Sequence, residues 1–388
     1  MRLDEVFEGA WEDAQSLYAR MRPGKEDGMI SEASARDVQM GFADPPMSWE
    51  QLLAAHEPGT FRLIRRFCIE QSSGKKRACD HAFEGRQSEL THDDNKLDLC
   101  SALQPAIHLR ALYAANPNQV SSGPKLKEPV LSGGEDWPDA YRYTPMRPDH
   151  SLACVVAFWD PQASAPRFQR YRGLLFGLPL AVTSFNRFPR LCQALVRRLL
   201  YMLYSMYFDD ATLQEWSSSA TQTQQLLESF MEDILGSPFA REKRQMMRPI
   251  GEFLGLAHDL EKVHSHSVVD FWPRERLIRK VSDMVAVAIE SNTLPAGIAG
   301  KMFGCLNFLS SGMYGKLARA GLNAIKDRQF QHACLRLTPA LHQAFAQVQA
   351  LLQEQPQGCV DWRSWLGRNS WGRRMRLWSS QGKEQEVC

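Results

Sequence analysis

The most constraining stretch of the sequence is Tyr207-Phe208-Asp209-Asp210. It closes an apolar run, Leu199-Leu200-Tyr201-Met202-Leu203-Tyr204-Ser205-Met206, which carries no charge and reads as a buried strand. Two adjacent carboxylates on a tight turn repel each other, and desolvating them is costly unless a cation neutralises them. A divalent-metal site that activates phosphates meets that demand. A solvated hairpin turn meets it too, so the rest of the chain has to decide.

The bounds set by composition are those of a globular protein. With 388 residues there is room for two or three core-forming units, and 44% hydrophobic with 23% charged residues excludes a disordered chain. The formal net charge of +2 is close to neutral, so any nucleic-acid contact has to come from local basic clusters. The 9 cysteines include no Cys-x-x-Cys pair, which argues against a zinc finger or a disulfide framework and for a reducing, intracellular setting, cytoplasmic or nuclear. Met1-Arg2-Leu3-Asp4-Glu5 opens no secretory signal, and no apolar run is long enough to span a bilayer, so neither secretion nor a membrane partner is expected.

Along the chain, residues 3–21 predict one amphipathic helix, with Val6, Phe7, Ala10, Trp11, Ala14, Leu17, Tyr18 and Met21 on its apolar face. Two strands joined by the basic turn Gly74-Lys75-Lys76-Arg77 follow, a loop that would close on a triphosphate or track a phosphate backbone, or would simply be a solvated hairpin tip. Residues 97–114 read as a helix, and residues 121–134 as a loop carrying Lys125 and Lys127. Asp136 is expected at the end of a strand with Tyr141 further along it, and Val155–Trp159 and Arg167–Tyr171 as a strand pair turning at Asp160-Pro161. Gly177, in the apolar turn Leu174-Leu175-Phe176-Gly177-Leu178, permits close backbone approach and opens a helix with Ala181, Phe185, Cys192, Leu195 and Leu199 inward, kinked by Pro189. A further helix turns Leu226, Leu227, Phe230 and Ile234 inward, Glu252–Leu256 makes a short strand, and the pattern is helical from Pro273 to about residue 355. His264 and His266 lack an acidic or cysteine partner at ligand spacing, and the tail gathers Trp362, Trp365, Trp371 and Trp378 beside Arg373-Arg374-Met375-Arg376.

Taken together these segments resemble the reverse transcriptase domain of retroelements, from about residue 60 to about residue 260. Asp136-Trp137-Pro138-Asp139-Ala140-Tyr141 is similar to the first palm motif, and Leu174-Leu175-Phe176-Gly177-Leu178 with Ala181, Phe185 and Arg187 to the second. Tyr207-Phe208-Asp209-Asp210 matches Tyr-x-Asp-Asp, Lys243 stands at the lysine of the fourth motif, and Phe253-Leu254-Gly255 matches the fifth. Upstream, Arg77-Ala78-Cys79-Asp80 is similar to the fingers segment. Leu175 and Val182 stand where the family usually has proline, which bears on the nucleotide pocket and removes no acidic residue.

The resemblance implies an α+β, right-hand polymerase: an N-terminal helical extension (1–35), fingers and an antiparallel palm (36–262), a helical thumb or connection (263–355) and an irregular tail (356–388) with no ribonuclease H domain. It implies an RNA-directed DNA polymerase that holds two Mg2+ or Mn2+ ions on Asp136, Asp209 and Asp210. Arg77 and Lys75 would grip the triphosphate, Tyr141, Phe176 and Gly177 would line the nucleotide pocket, and Lys243 would protonate the departing pyrophosphate. The partners implied are an RNA or DNA template-primer and deoxyribonucleoside triphosphates, with any protein partner left open. The alternative is a catalytically silent descendant that keeps the fold and binds nucleic acid.

Overall fold

A computed structural model describes residues 3–70, 74–91, 93, 95–115, 128–263, 268–312, 319–332, 335–354, 358–361, 377–378 and 384–385. Its strands, in chain order, are β1 (Leu63–Glu70), β2 (Lys76–Asp80), β3 (Val130–Asp136), β4 (Val155–Asp160), β5 (Ala165–Gln169), β6 (Leu203–Tyr207), β7 (Asp210–Trp216), β8 (Gln245–Arg248), β9 (Ile250–Phe253), β10 (Leu256–Asp259), β11 (Val268–Pro273) and β12 (Gly358–Asp361). The fold is mixed α+β, and the chain divides into two compact units, Met1–Asp98 with Pro138–Cys192 and Leu99–Trp137 with Gln193–Cys388.

The first unit is built on a sheet of order β2-β1-β4-β5, in which β1 runs parallel to β4 and antiparallel to β2. Both faces are covered, which explains the unbroken apolar run Val155–Trp159 in β4, whereas β1 is apolar at Leu63-Ile64 and then carries Arg65 and the buried Arg66. Leu63, Val155 and Ala157 pack with Ala14, Leu17 and Leu52 on one side, while Ile64, Val156 and Phe158 pack with Ile30, Tyr171 and Leu175 on the other. The helix expected over 3–21 is two helices, Leu3–Phe7 and Ala10–Arg20, because Gly9 takes φ +66° between them. Of its predicted inner face, Val6, Ala10, Ala14, Leu17 and Met21 are buried, while Phe7, Trp11 and Tyr18 are half-buried. The strands around the basic turn form the β1–β2 hairpin, with Ile69 opposite Arg77.

In the second unit one antiparallel sheet has the order β6-β7-β3-β8 and another the order β12-β11-β10-β9. The helix expected at 97–114 starts later, at Gln104, and packs Leu109 and Tyr113 against Leu256, Val269 and Phe271. Helices Glu275–Glu290, Ala296–Gly312, Arg319–Arg328 and Pro339–Glu354 enclose a separate core around Val281, Val285, Met302, Ile325 and Phe345. That matches the all-helical reading beyond Pro273.

Four local expectations need correction. Leu199 belongs to the helix Pro179–Leu199, which continues through Pro189; the exposed Tyr201 takes φ +56°, and the strand begins only at Leu203. Gly133 and Gly134 lie within β3, not in a loop. Leu226 and Ile234 are exposed, while Leu227 and Met231 carry the buried face of that segment. Residues 252–256 form a hairpin: Leu254 (φ +47°) and Gly255 (φ +74°) make the two-residue turn between β9 and β10. No helix among the described residues is long and apolar enough to cross a membrane.

Candidate functional site

In the second unit, β6 and β7 are joined by a two-residue loop, with Tyr207 paired to Asp210 and Phe208 at φ +52°. A positive φ at the first central position is characteristic of a II′ hairpin, where glycine is the usual residue, so a phenylalanine there stores local strain. On the other side of β7, Asp136 at the end of β3 pairs directly with Asp210. Directly opposed residues put their Cβ atoms within about 4.5–5.5 Å, so the two carboxylates stand side by side on one sheet face. Asp209 joins them through the turn, its carbonyl accepting the Trp137 amide at 3.0 Å.

The electrostatics follow from that crowding. The Asp210 carboxyl is pushed up to about 6, first by burial and then by repulsion from Asp209 and Asp136, with Arg274 and Lys243 offsetting part of it. Lys243 Nζ donates to Asp136 Oδ2 at 2.6 Å, and this bond raises the lysine's pKa and keeps it charged. The folded chain therefore holds the Asp210 proton more tightly than the unfolded chain, whose carboxyl titrates near its ordinary 3.8. Stability falls as pH rises from about 4 to about 6, and the penalty is complete above that. Protein atoms crowd the Asp210 carboxyl, yet the residue keeps a solvent-exposed surface, so solvent screens much of the penalty. Asp210→Asn should raise the stability of the metal-free protein at pH 8 by about 1 kcal/mol, a gain that vanishes below about pH 4. Urea unfolding at the two pH values checks this; an equal effect at both would remove the repulsion as its cause.

Beneath the carboxylates the same sheet face carries a buried polar network that the sequence reading did not find. His108 bonds Ser205 and Gln214, Gln214 donates to Ser132 at 2.9 Å, and Ser132 meets His258 at 2.7 Å. Ser132 shares the parity of Asp136, and Gln214 that of Asp210. Burial pushes both histidines down to about 3, so they stay neutral, and the network locks strand register without adding charge.

Glu135 and Arg244 were also missed. Consecutive acids on β3 grip consecutive bases: Asp136 holds Lys243, while Glu135, facing the other way, holds Arg244 at 2.9 Å. Arg244 also reaches Glu228 at 3.0 Å, and the Ala240 amide donates to the Asp136 carbonyl at 2.9 Å. Burial raises the Glu135 pKa against the pull of Arg244. A Cβ at Gly133 would strike Met247 and Gln224, so a glycine lets β8 approach β3. The signal in the sequence was the matched pair of dipeptides, Glu135-Asp136 and Lys243-Arg244.

A cavity of about 630 Å³ opens beside these groups, lined by Asp136, Asp210, Lys243, Phe253, Arg274 and Phe308 among others. The size suits a ligand of nucleotide scale. Carboxylate oxygens crowded enough to raise Asp210 are the donor chemistry of a hard divalent cation. Among the described residues, however, no group of three or more His, Cys, Asp or Glu side chains encloses a metal-sized point, and the Lys243 ammonium supplies the cation at Asp136.

The remaining predicted residues lie in the first unit. Lys75 and Arg77 are exposed on the β1–β2 hairpin. Tyr141 is not on the strand of Asp136; it sits in the short helix Ala140–Tyr143, stacked on Phe185 at 4.6 Å and tilted against Phe176 at 4.9 Å. Gly177, at φ +98°, lies so close to the Asp80 carbonyl that an added Cβ would fall against it, which accounts for glycine there. Lys125, Lys127, His264, His266, Trp362, Trp365, Trp371 and Arg373–Arg376 lie outside the described residues.

No protein-family model matches the chain, and no curated protein does. Among solved structures, the chain is similar to a foamy viral protease–reverse transcriptase in complex with double-stranded DNA, with a TM-score of 0.56 and 10% identity over 86% of this chain and 49% of that one. The chain thus spans about half the length of that protein. It is one of 509 matching chains. At this identity the likeness is one of fold: the α+β architecture is similar to that of a reverse transcriptase.

Proposed function

We propose that the chain is a template-directed nucleotidyl transferase, an RNA-directed DNA polymerase of retroelement type, with a right-hand arrangement of fingers, palm and thumb. The observation that carries this reading is the cross-strand pair Asp136–Asp210 beneath the Tyr207-Phe208-Asp209-Asp210 hairpin. Asp136, Asp209 and Asp210 would hold two Mg2+ or Mn2+ ions, which when bound stabilise the attacking and leaving oxygens of an in-line displacement at phosphorus. The chain's own residues do the rest. Lys243, kept protonated by Asp136, would release that carboxylate and give its proton to departing pyrophosphate. Arg77 and Lys75 contact the triphosphate, and Tyr141, Phe176 and Gly177 the nucleoside.

Primer extension on an RNA template with deoxyribonucleoside triphosphates, with and without magnesium, tests this; no extension on RNA or DNA would refute it. The Lys243–Asp136 ion pair favours a second reading, a silent descendant whose lysine has replaced the metal. That reading predicts template binding without extension. Template binding should also weaken with salt, because phosphate contacts release counterions. Lys75→Ala should lower the slope of log affinity against log salt by about one, and an unchanged slope would make the basic turn merely solvated.

A further inference from the structure

Behind the aromatic residues of the first unit lies a buried charged cluster with no part in the reading above. Arg66 donates to both oxygens of Asp80, at 2.8 and 3.2 Å, and also bonds the Tyr171 hydroxyl. Tyr171 in turn donates to Asp37 at 2.6 Å. Arg142 enters the same cluster from the helix Ala140–Tyr143. Its guanidinium lies 3.6 Å from Asp37 and 3.7 Å from Asp80, bonds the Leu174 carbonyl at 3.4 Å and covers the Tyr171 ring at 4.5 Å.

Arg66 grips Asp80 with a two-pronged pair, and Arg142 supplies the second positive charge of a cluster that holds two carboxylates, Asp37 and Asp80. Besides its charge, Arg142 brings a flat face. The guanidinium stands 5.8 Å from the Phe176 ring centre, and Tyr141, its chain neighbour, meets the same ring at 4.9 Å. Consecutive residues thus both reach the Phe176 ring, one with an aromatic ring and one with a planar cation, while Phe176 remains 41% exposed. The next residue, Gly177, is seated on the carbonyl of Asp80, the same acid that faces Arg142. A Cβ on Gly173 would collide with the Arg142 carbonyl, so the chain is closely packed on that side as well.

We propose that Arg142 is a positioning residue that fixes the tilt of the Phe176–Tyr141 aromatic pair and so sets discrimination between deoxyribonucleoside and ribonucleoside triphosphates. This rests on the polymerase reading. A flat guanidinium can set the angle of a ring; an ammonium at the end of a flexible stem cannot, although it carries the same charge.

The test is single-nucleotide incorporation by the full chain, with dTTP and with UTP, comparing wild type, Arg142→Met and Arg142→Lys. In Arg142→Met the deoxy-over-ribo ratio of kcat/KM should fall by roughly tenfold, through a raised kcat/KM for UTP with that for dTTP nearly kept. Arg142→Lys, which keeps the buried charge and so guards against a variant that does not fold, should show the same loss of discrimination. A residue that only stabilised the fold would lower the active fraction and leave the ratio unchanged; that result in either folded variant overturns the proposal. A wild-type chain that extends no primer overturns the polymerase reading and the proposal with it, whereas wild-type extension with an unaltered ratio in the variants overturns the proposal alone.

Discussion

Asp209→Asn should abolish primer extension while leaving the fold intact. The substitution removes one negative charge at nearly constant volume. The backbone contact that seats the turn, the Trp137 amide on the Asp209 carbonyl, does not involve the side chain. Charge stabilisation by bound divalent ions supplies several kcal/mol to transition states of this class. At about 1.4 kcal/mol per decade, losing most of it lowers the rate by at least roughly 10²–10³-fold. Circular dichroism should match wild type and urea unfolding should show no loss of stability, because the repulsion that Asp209 adds at Asp210 offsets its attraction to Lys243. A variant that extends primers within about tenfold of wild type would remove the hairpin from the chemistry. One that unfolds would instead make the carboxylate structural.

The hairpin was legible in the sequence because its signal is local. An apolar run, two acids and a change of direction fit within a few residues, and the strand pairing of β6 with β7 follows from the turn. Gly177 was legible for a similar reason, since close backbone approach leaves few alternatives to glycine. The helical core beyond Pro273 announced itself through periodicity. The start of β6 did not: Leu199 and Leu200 continue an apolar pattern shared by the helix before and the strand after, and only the backbone at Tyr201 separates them. The glycines of β3 misled because Gly-Gly reads as loop, whereas here small residues admit β8. The Arg244–Glu135 pair and the His108–Ser132–His258 network were hidden for a different reason. Each is assembled from elements far apart in sequence, and a buried polar side chain carries no mark of its partner until the strands are in register.

Tyr141→Ala should raise ribonucleotide incorporation relative to deoxyribonucleotide incorporation. The ring does not extend the strand of Asp136, as its position five residues later had implied; it stands on a helical turn and leans on Phe185 and Phe176. That support makes it a firm surface. A 2′-hydroxyl pressed against a ring that cannot yield is an overpacked contact, worth about 1–3 kcal/mol. The corresponding preference for the deoxy sugar is roughly five- to hundredfold. Alanine in its place would relieve the clash, raising kcat/KM for UTP while changing that for dTTP less. If the ring were only core, its loss would destabilise the first unit and reduce both substrates equally. The Arg142 variants sharpen the distinction, because Tyr141 and Arg142 both touch Phe176 and their effects on the sugar ratio should not add. An unchanged dTTP-to-UTP ratio in a folded, active Tyr141→Ala chain would return the ring to the core and place sugar selection elsewhere.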